Sequence, residues 1–242
     1  MEARLDAGST PATSTRGEKM KDFTVEEFRF INTDDEYNTR YFTDEHQAWS
    51  RPYEYTLANN DLQNIQKFSD SKISVHNSAW GWEGLHIFFR EDLESKYDVV
   101  NSDIRTMLPI CKLMPTYYYA LGTEDKKLEE KFDAVLNISV IEETNVLPLT
   151  SIYCLFRQVK KGGYLIATMD YSDDKNSIFP GLDREELTKI EDGLGGKIKD
   201  DKERLNGITT GVATDLTRRV APTLNAIYIK IKKELTTVSS MI

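Results

Sequence analysis

Carboxylates gather at the ends of two apolar runs. Glu142 and Glu143 close FDAVLNISVIEE at 132–143, and Asp170, Asp173 and Asp174 follow VKKGGYLIATM at 159–169. A carboxylate held at the mouth of a site can take or give a proton if it lies within reach of the reacting group. A further one, Asp103, closes YDVVNS at 97–102. There it could accept hydrogen bonds from both hydroxyls of a ribose, or simply cap the next helix. The three histidines, His46, His76 and His86, do not form a metal-ligand spacing. Cys111 and Cys154 are far apart and lack a CxxC partner, so neither a disulfide framework nor a zinc cage is indicated, and a reducing cytoplasm is the expected compartment.

Parallel strands are what would position these groups. An Asp-led apolar run ending in small polar residues, then a helical pattern, then Lys-Gly-Gly and a second apolar run, reads as two neighbouring parallel strands joined by a crossover helix. Ligands of such sheets sit at the carboxyl ends of the strands, which directs attention to 137–143 and 170–174. Upstream, KISV at 72–75 reads as the first strand, and His76 closes it. HNSAWGWEG follows as a small-residue turn, and Leu85, Phe88, Phe89 and Leu93 mark a helix. Strand, turn, helix is the ligand-binding start of a nucleotide-type unit, because backbone amides there can approach a ligand closely. Further strands are expected at 97–100, 116–121, 134–138 and 164–169. A helix at 149–159 is expected to end at a Gly162 cap, and another covers 184–192. The tail alternates at 206–212 and 224–231, which predicts a closing antiparallel pair. In the second of these runs Ala226, Tyr228 and Lys230 lie opposite Ile227, Ile229 and Ile231.

A chain of 242 residues suits one principal α/β domain with appendages. Residues 1–20 are small, polar and aperiodic, and read as a disordered leader or tag. Residues 21–66, rich in acidic and aromatic residues, read as an N-terminal appendage or lid, helical or irregular, leaving 67–242 as the main domain. A net charge of −9 argues against nucleic acid as the main partner. No apolar run approaches the roughly 20 residues of a membrane span.

The pair FDAVLNISVIEE and VKKGGYLIATMDY resembles the fourth-strand and fifth-strand motifs of class I S-adenosylmethionine-dependent methyltransferases, over roughly residues 72–171. The resemblance implies a Rossmann-like α/β fold: a mostly parallel seven-stranded sheet with an antiparallel closing strand and helices on both faces. It implies S-adenosyl-L-methionine as cofactor, held by Asn77, Ser78, Ala79, Trp80, Gly81, Asp103, Asn137, Ile138 and Ser139. The family's first loop usually carries three glycines, whereas here they fall only at Gly81 and Gly84, beside the bulky Trp80 and Trp82. The customary histidine of the fourth-strand motif is replaced by Glu143. Catalysis is expected from Asp170, as base or metal ligand, with Glu142 near the cofactor and His46 brought in by the N-terminal segment. A divalent metal is a second way to lower an acceptor's pKa. Adjacent aromatics (Trp49, Tyr53, Tyr55 and the tyrosines at 117–119) suit sugar rings. The chain also resembles glycan O-methyltransferase modules of larger glycosyltransferase polypeptides, which makes a sugar hydroxyl the expected acceptor. A small metabolite, a lipid head group and a non-catalytic binding module are the alternatives.

Overall fold

The computed structural model describes residues 22–31, 41, 50–79, 84–104, 117–172, 181–198 and 225–235. Seven strands form one sheet: β1 (Phe23–Phe30), β2 (Ser74–Ser78), β3 (Asp98–Asp103), β4 (Tyr117–Tyr118), β5 (Phe132–Ile138), β6 (Val159–Tyr171) and β7 (Asn225–Lys233). Their order across the sheet is β1-β7-β6-β5-β2-β3-β4. All neighbours from β6 to β4 pair in parallel, and β7 runs antiparallel to both β6 and β1.

Helices α1 (Arg51–Gln66) and α2 (Gly84–Lys96) cover one face, and α3 (Pro148–Gln158) and α4 (Arg184–Leu194) cover the other. The two-residue period of the strands divides the core accordingly. On the α3/α4 side, Val135, Leu165, Ala167, Met169, Ile227, Ile229 and Ile231 pack with Ile152, Leu155, Leu187 and Ile190. On the α1/α2 side, Val75, Ala134, Leu136, Ile166, Ala226 and Tyr228 meet Tyr55, Ala58, Leu62, Phe89 and Leu93. The alternation expected around Tyr228 is therefore the one observed.

Several expectations change. The sheet begins at β1, before the run taken as the first strand. The edge beside β7 is filled by this N-terminal segment, and residues 206–212 lie outside the described residues. Residues 51–66, read as helical or irregular, are a helix packed on the sheet, running from the carboxyl ends of the parallel strands toward their amino ends. Near its far end Asp61 accepts from Lys230 Nζ (2.9 Å) and from the Tyr228 hydroxyl, which pins α1 to β7. Gly162 is no helix cap. The helix stops at Gln158, Val159 is already extended, and Gly162 (φ 83°) sits within β6, beside an irregularity in its pairing with β5. His76 lies mid-strand, one residue before Asn77 and two before the end of β2. Strand β4 is only two residues long.

Candidate active site

Between β2 and β5 the strand order reverses: β2 leads through α2 to β3 on one side, while β5 lies on the other. Such a switch point opens a crevice at the carboxyl ends of the strands. Two residues there adopt left-handed backbone without being glycine, Ala79 (φ 53°) after β2 and Ser139 (φ 42°) after β5. Each is locked by a backbone hydrogen bond to the neighbouring strand, Ala79 N–H to Ser102 O (2.8 Å) and Ser139 N–H to Thr168 O (3.0 Å). Left-handed backbone costs a non-glycine residue roughly 1–2 kcal/mol and concentrates where a chain must turn sharply beside a ligand. The absence of glycine at 79 does not prevent the turn.

Seven buried side-chain polar atoms lack a hydrogen-bond partner among the described residues, and five of them belong to this edge: Ser78 Oγ, Asn137 Oδ1, both carboxylate oxygens of Glu142 and Asp170 Oδ1. All five are oxygens: Asn137 Oδ1 can only accept, the Ser78 hydroxyl accepts or donates, and the carboxyl oxygens accept, or donate where they carry a proton. A buried unpaired acceptor is costly, so the partner such an edge suits is a donor-bearing ligand. Ser78 and Asn137 face each other across β2 and β5, with Asn137 Nδ2 donating to Ser78 O (3.3 Å). Asn77, on the opposite face, donates to Asn101 Oδ1 (2.9 Å), and Asn101 in turn donates to Glu94 Oε1 (2.7 Å). Asp103 ends β3, buried, and Ile138 is a core residue at the end of β5. Trp80, Gly81, His46, Asp173 and Asp174 lie outside the described residues.

The first turn of α1 enters the same edge. Glu54, fully buried, accepts from Ser139 Oγ (2.7 Å) and Thr168 Oγ1 (2.6 Å) on one oxygen, and from Arg51 Nη1 (2.9 Å) and the Ser50 hydroxyl on the other. Arg51 Nη2 reaches Ser139 O at 3.4 Å. Burial alone would raise Glu54, but Arg51 and the three hydroxyl donors outweigh it and hold the carboxyl below its ordinary value. Asp170 lies two residues beyond Thr168 on the same face of β6. Burial raises it, Arg51 draws it down, and the charges of Glu54 and Glu143 push it up again, to about 7. Burial and the Asp170 charge raise Glu142 well above the usual carboxylate range. Ser50, Arg51, Glu54 and Thr168 were not legible as site residues. Their only signal is a set of polar residues at spacings that a buried helix turn and a strand end share, visible once the two elements meet.

His76 serves packing. Its ring nitrogens pair with Gln158 Oε1 (2.6 Å) and Ser102 Oγ (2.7 Å), and the ring stacks on Phe132. Burial brings its pKa down to about 4 despite the Gln158 bond, so it is neutral at pH 7. Of the aromatics expected to stack on a sugar, Tyr53 and Tyr55 are core residues and Tyr118 is exposed. A groove of about 630 Å³, lined by Phe68, Asp133, Lys161 and Tyr164 among others, lies at the amino ends of β5 and β6, the end of the sheet away from this crevice. Among the described residues no group of three or more His, Cys, Asp or Glu is placed to hold a metal ion, and no helix is long and apolar enough to cross a membrane.

Comparison with solved structures finds the same architecture. The CurJ carbon methyltransferase superposes with a TM-score of 0.52 at 11% identity, over 77% of this chain and 55% of that one. The chain has the class I methyltransferase fold. A Burkholderia thailandensis 1,6-didemethyltoxoflavin-N1-methyltransferase with bound S-adenosylhomocysteine is also found (TM-score 0.46, 12% identity, 77% of this chain and 81% of that one). So is a SAM-dependent methyltransferase from Archaeoglobus fulgidus (TM-score 0.42, 12% identity, 74% and 94%). This chain spans about half the length of the CurJ enzyme. No family model and no curated protein matches the sequence.

Proposed function

We propose that this protein is an S-adenosylmethionine-dependent O-methyltransferase whose acceptor is a sugar hydroxyl of a glycan. The observation that carries the reading is the row of buried oxygens along the crevice that have no hydrogen-bond partner among the described residues, on a fold shared with a methyltransferase. S-adenosylmethionine brings donors that suit such oxygens: an α-ammonium and two ribose hydroxyls. Ser78, Asn137 and the turns at Ala79 and Ser139 are the residues to hold the amino-acid part, and Asp103, at the end of the next strand, the ribose.

When bound, the cofactor supplies a methyl group on a positively charged sulfur. The protein's work is then to orient the acceptor, exclude water and receive one proton. Asp170, buried and with a proton affinity near neutrality, takes the hydroxyl proton as the new O–C bond forms. The bonding pair of the transferred methyl would stay with the departing sulfur, so the hydroxyl proton is what Asp170 has to receive. A hydroxyl-rich acceptor suits this side of the crevice because a hydroxyl both donates and accepts: it can donate to Asp170 and accept from Glu142, whose carboxyl is held well above the usual range.

Isothermal calorimetry with S-adenosylmethionine and S-adenosylhomocysteine tests the reading. Saturable binding of both is expected, followed by methyl transfer to a glycan acceptor in a radiolabel screen. Absence of binding at millimolar ligand would overturn it.

A further inference from the structure

The proposed chemistry gives no part to Arg51 and Glu54, yet they form the most heavily bonded polar cluster of the site. Through Glu54 the first turn of α1 is tied to Ser139, just after β5, and to Thr168, two residues before Asp170 on β6. Among the described residues, the charged groups facing Asp170 are Arg51 and Glu54 from α1, and Glu142 and Glu143 from the turn after β5. Arg51 is the one cation among these four. A guanidinium free to pair with Asp170 would hold that carboxylate ionised and make it a poor proton acceptor. Instead its Nη1 lies 2.9 Å and 3.1 Å from the two oxygens of Glu54.

We propose that Arg51 and Glu54 are positioning residues of the active site: Glu54 fixes the carboxyl ends of β5 and β6 and keeps the Arg51 guanidinium engaged, so that Asp170 can accept a proton. The purpose of the device rests on the methyl-transfer reading, but the device itself is measurable without turnover. It makes the N-terminal helix a constituent of the site, where a lid would only cover it.

The test is a carboxyl ¹³C NMR titration of Asp170, assigned with Asp170→Asn, in the wild type, in Glu54→Gln and in Arg51→Met/Glu54→Gln. Glu54→Gln removes a negative neighbour and releases Arg51, so the Asp170 midpoint moves to lower pH. The double substitution removes both charges, while the side-chain amide carbonyl introduced at position 54 can still accept from Ser139 and Thr168. Arg51 outweighs Glu54 at Asp170, so in the double variant the midpoint moves above the wild-type value. A purely structural role would not give opposite shifts. Should Glu54→Gln fail to fold because Arg51 is left uncompensated, the upward shift of the double variant, and the same shift in Arg51→Met, carry the test. Unmoved midpoints, or a downward shift in the double variant, overturn the proposal. Calorimetry with S-adenosylhomocysteine on the wild type separates the two failures: loss of binding sinks the methyltransferase reading and leaves the titration result standing.

Discussion

The Ser139 hydroxyl donates a 2.7 Å hydrogen bond to Glu54, 85 positions earlier in the chain. One end of this bond is a strand terminus in left-handed backbone, the other a helix's first turn. Ser139→Ala leaves Glu54 Oε2, on a fully buried carboxylate, with Thr168 as its remaining hydroxyl donor. Destabilisation of about 1–3 kcal/mol is expected, read as a lower urea midpoint at unchanged slope. An unchanged midpoint would show that this bond contributes nothing net.

Asp170→Asn keeps size and polarity while removing the proton acceptor. Turnover should fall by at least about 100-fold, the low end of what a general base contributes, with S-adenosylhomocysteine affinity unchanged. Retained activity would remove Asp170 from the mechanism.

The same carboxyl links stability to pH. Its folded-state pKa of about 7 lies above the ordinary 3.8, so the folded protein binds the extra proton between these values. Stability from this group is present below about pH 4 and lost as pH rises through about 7. At pH 8 Asp170→Asn should therefore unfold at higher denaturant than the wild type, an advantage that disappears at pH 4. His76 has the opposite sign. Its pKa is depressed from 6.5 to about 4, so protonation favours the unfolded chain and stability falls as pH drops across that window, by roughly 3 kcal/mol. His76→Gln should flatten the acid limb of a urea-midpoint profile.

Asp103→Ala should weaken S-adenosylhomocysteine binding by at least about tenfold, the equivalent of one charge-assisted hydrogen bond. Calorimetric titration decides it, and an unchanged dissociation constant would refute the ribose assignment.

Gly163 tests the fold away from the site. A methyl group on it would sit 2.6 Å from the backbone oxygen of Asp133, where β6 draws against β5. Gly163→Ala should cost about 1–3 kcal/mol of stability, measured by denaturant unfolding, with cofactor affinity intact.

Much of this molecule was readable from local pattern. Alternation in NAIYIKI gave the two faces of β7, because a strand between two packed layers must place its isoleucines on one side and Tyr228 with Lys230 on the other. The run 132–138 and the helix ending near Gln158 followed from period and apolar content. Gly162 misled, since a glycine after a helical pattern usually caps the helix, while here the left-handed residue serves an irregular strand entry. The N-terminal strand was missed because FTVEEFRF alternates weakly and carries three charges: its outward face stays partly open at the sheet edge, so only Phe28 and Phe30 are fully buried.

The sequence by itself determined the parallel strands between residues 74 and 171, the helices that connect them, and the placing of Ser78, Asn137, Glu142 and Asp170 at or just beyond the carboxyl ends of those strands. Those follow from short-range periodicity and from residue types at strand ends. Only the tertiary structure decided that the N-terminal segment closes the sheet, and that Arg51 and Glu54 stand beside Asp170. The bonds joining α1 to β5 and β6 span 85 and 114 residues, and no local pattern encodes a contact of that range. It arises when burial of the two apolar layers brings those ends together.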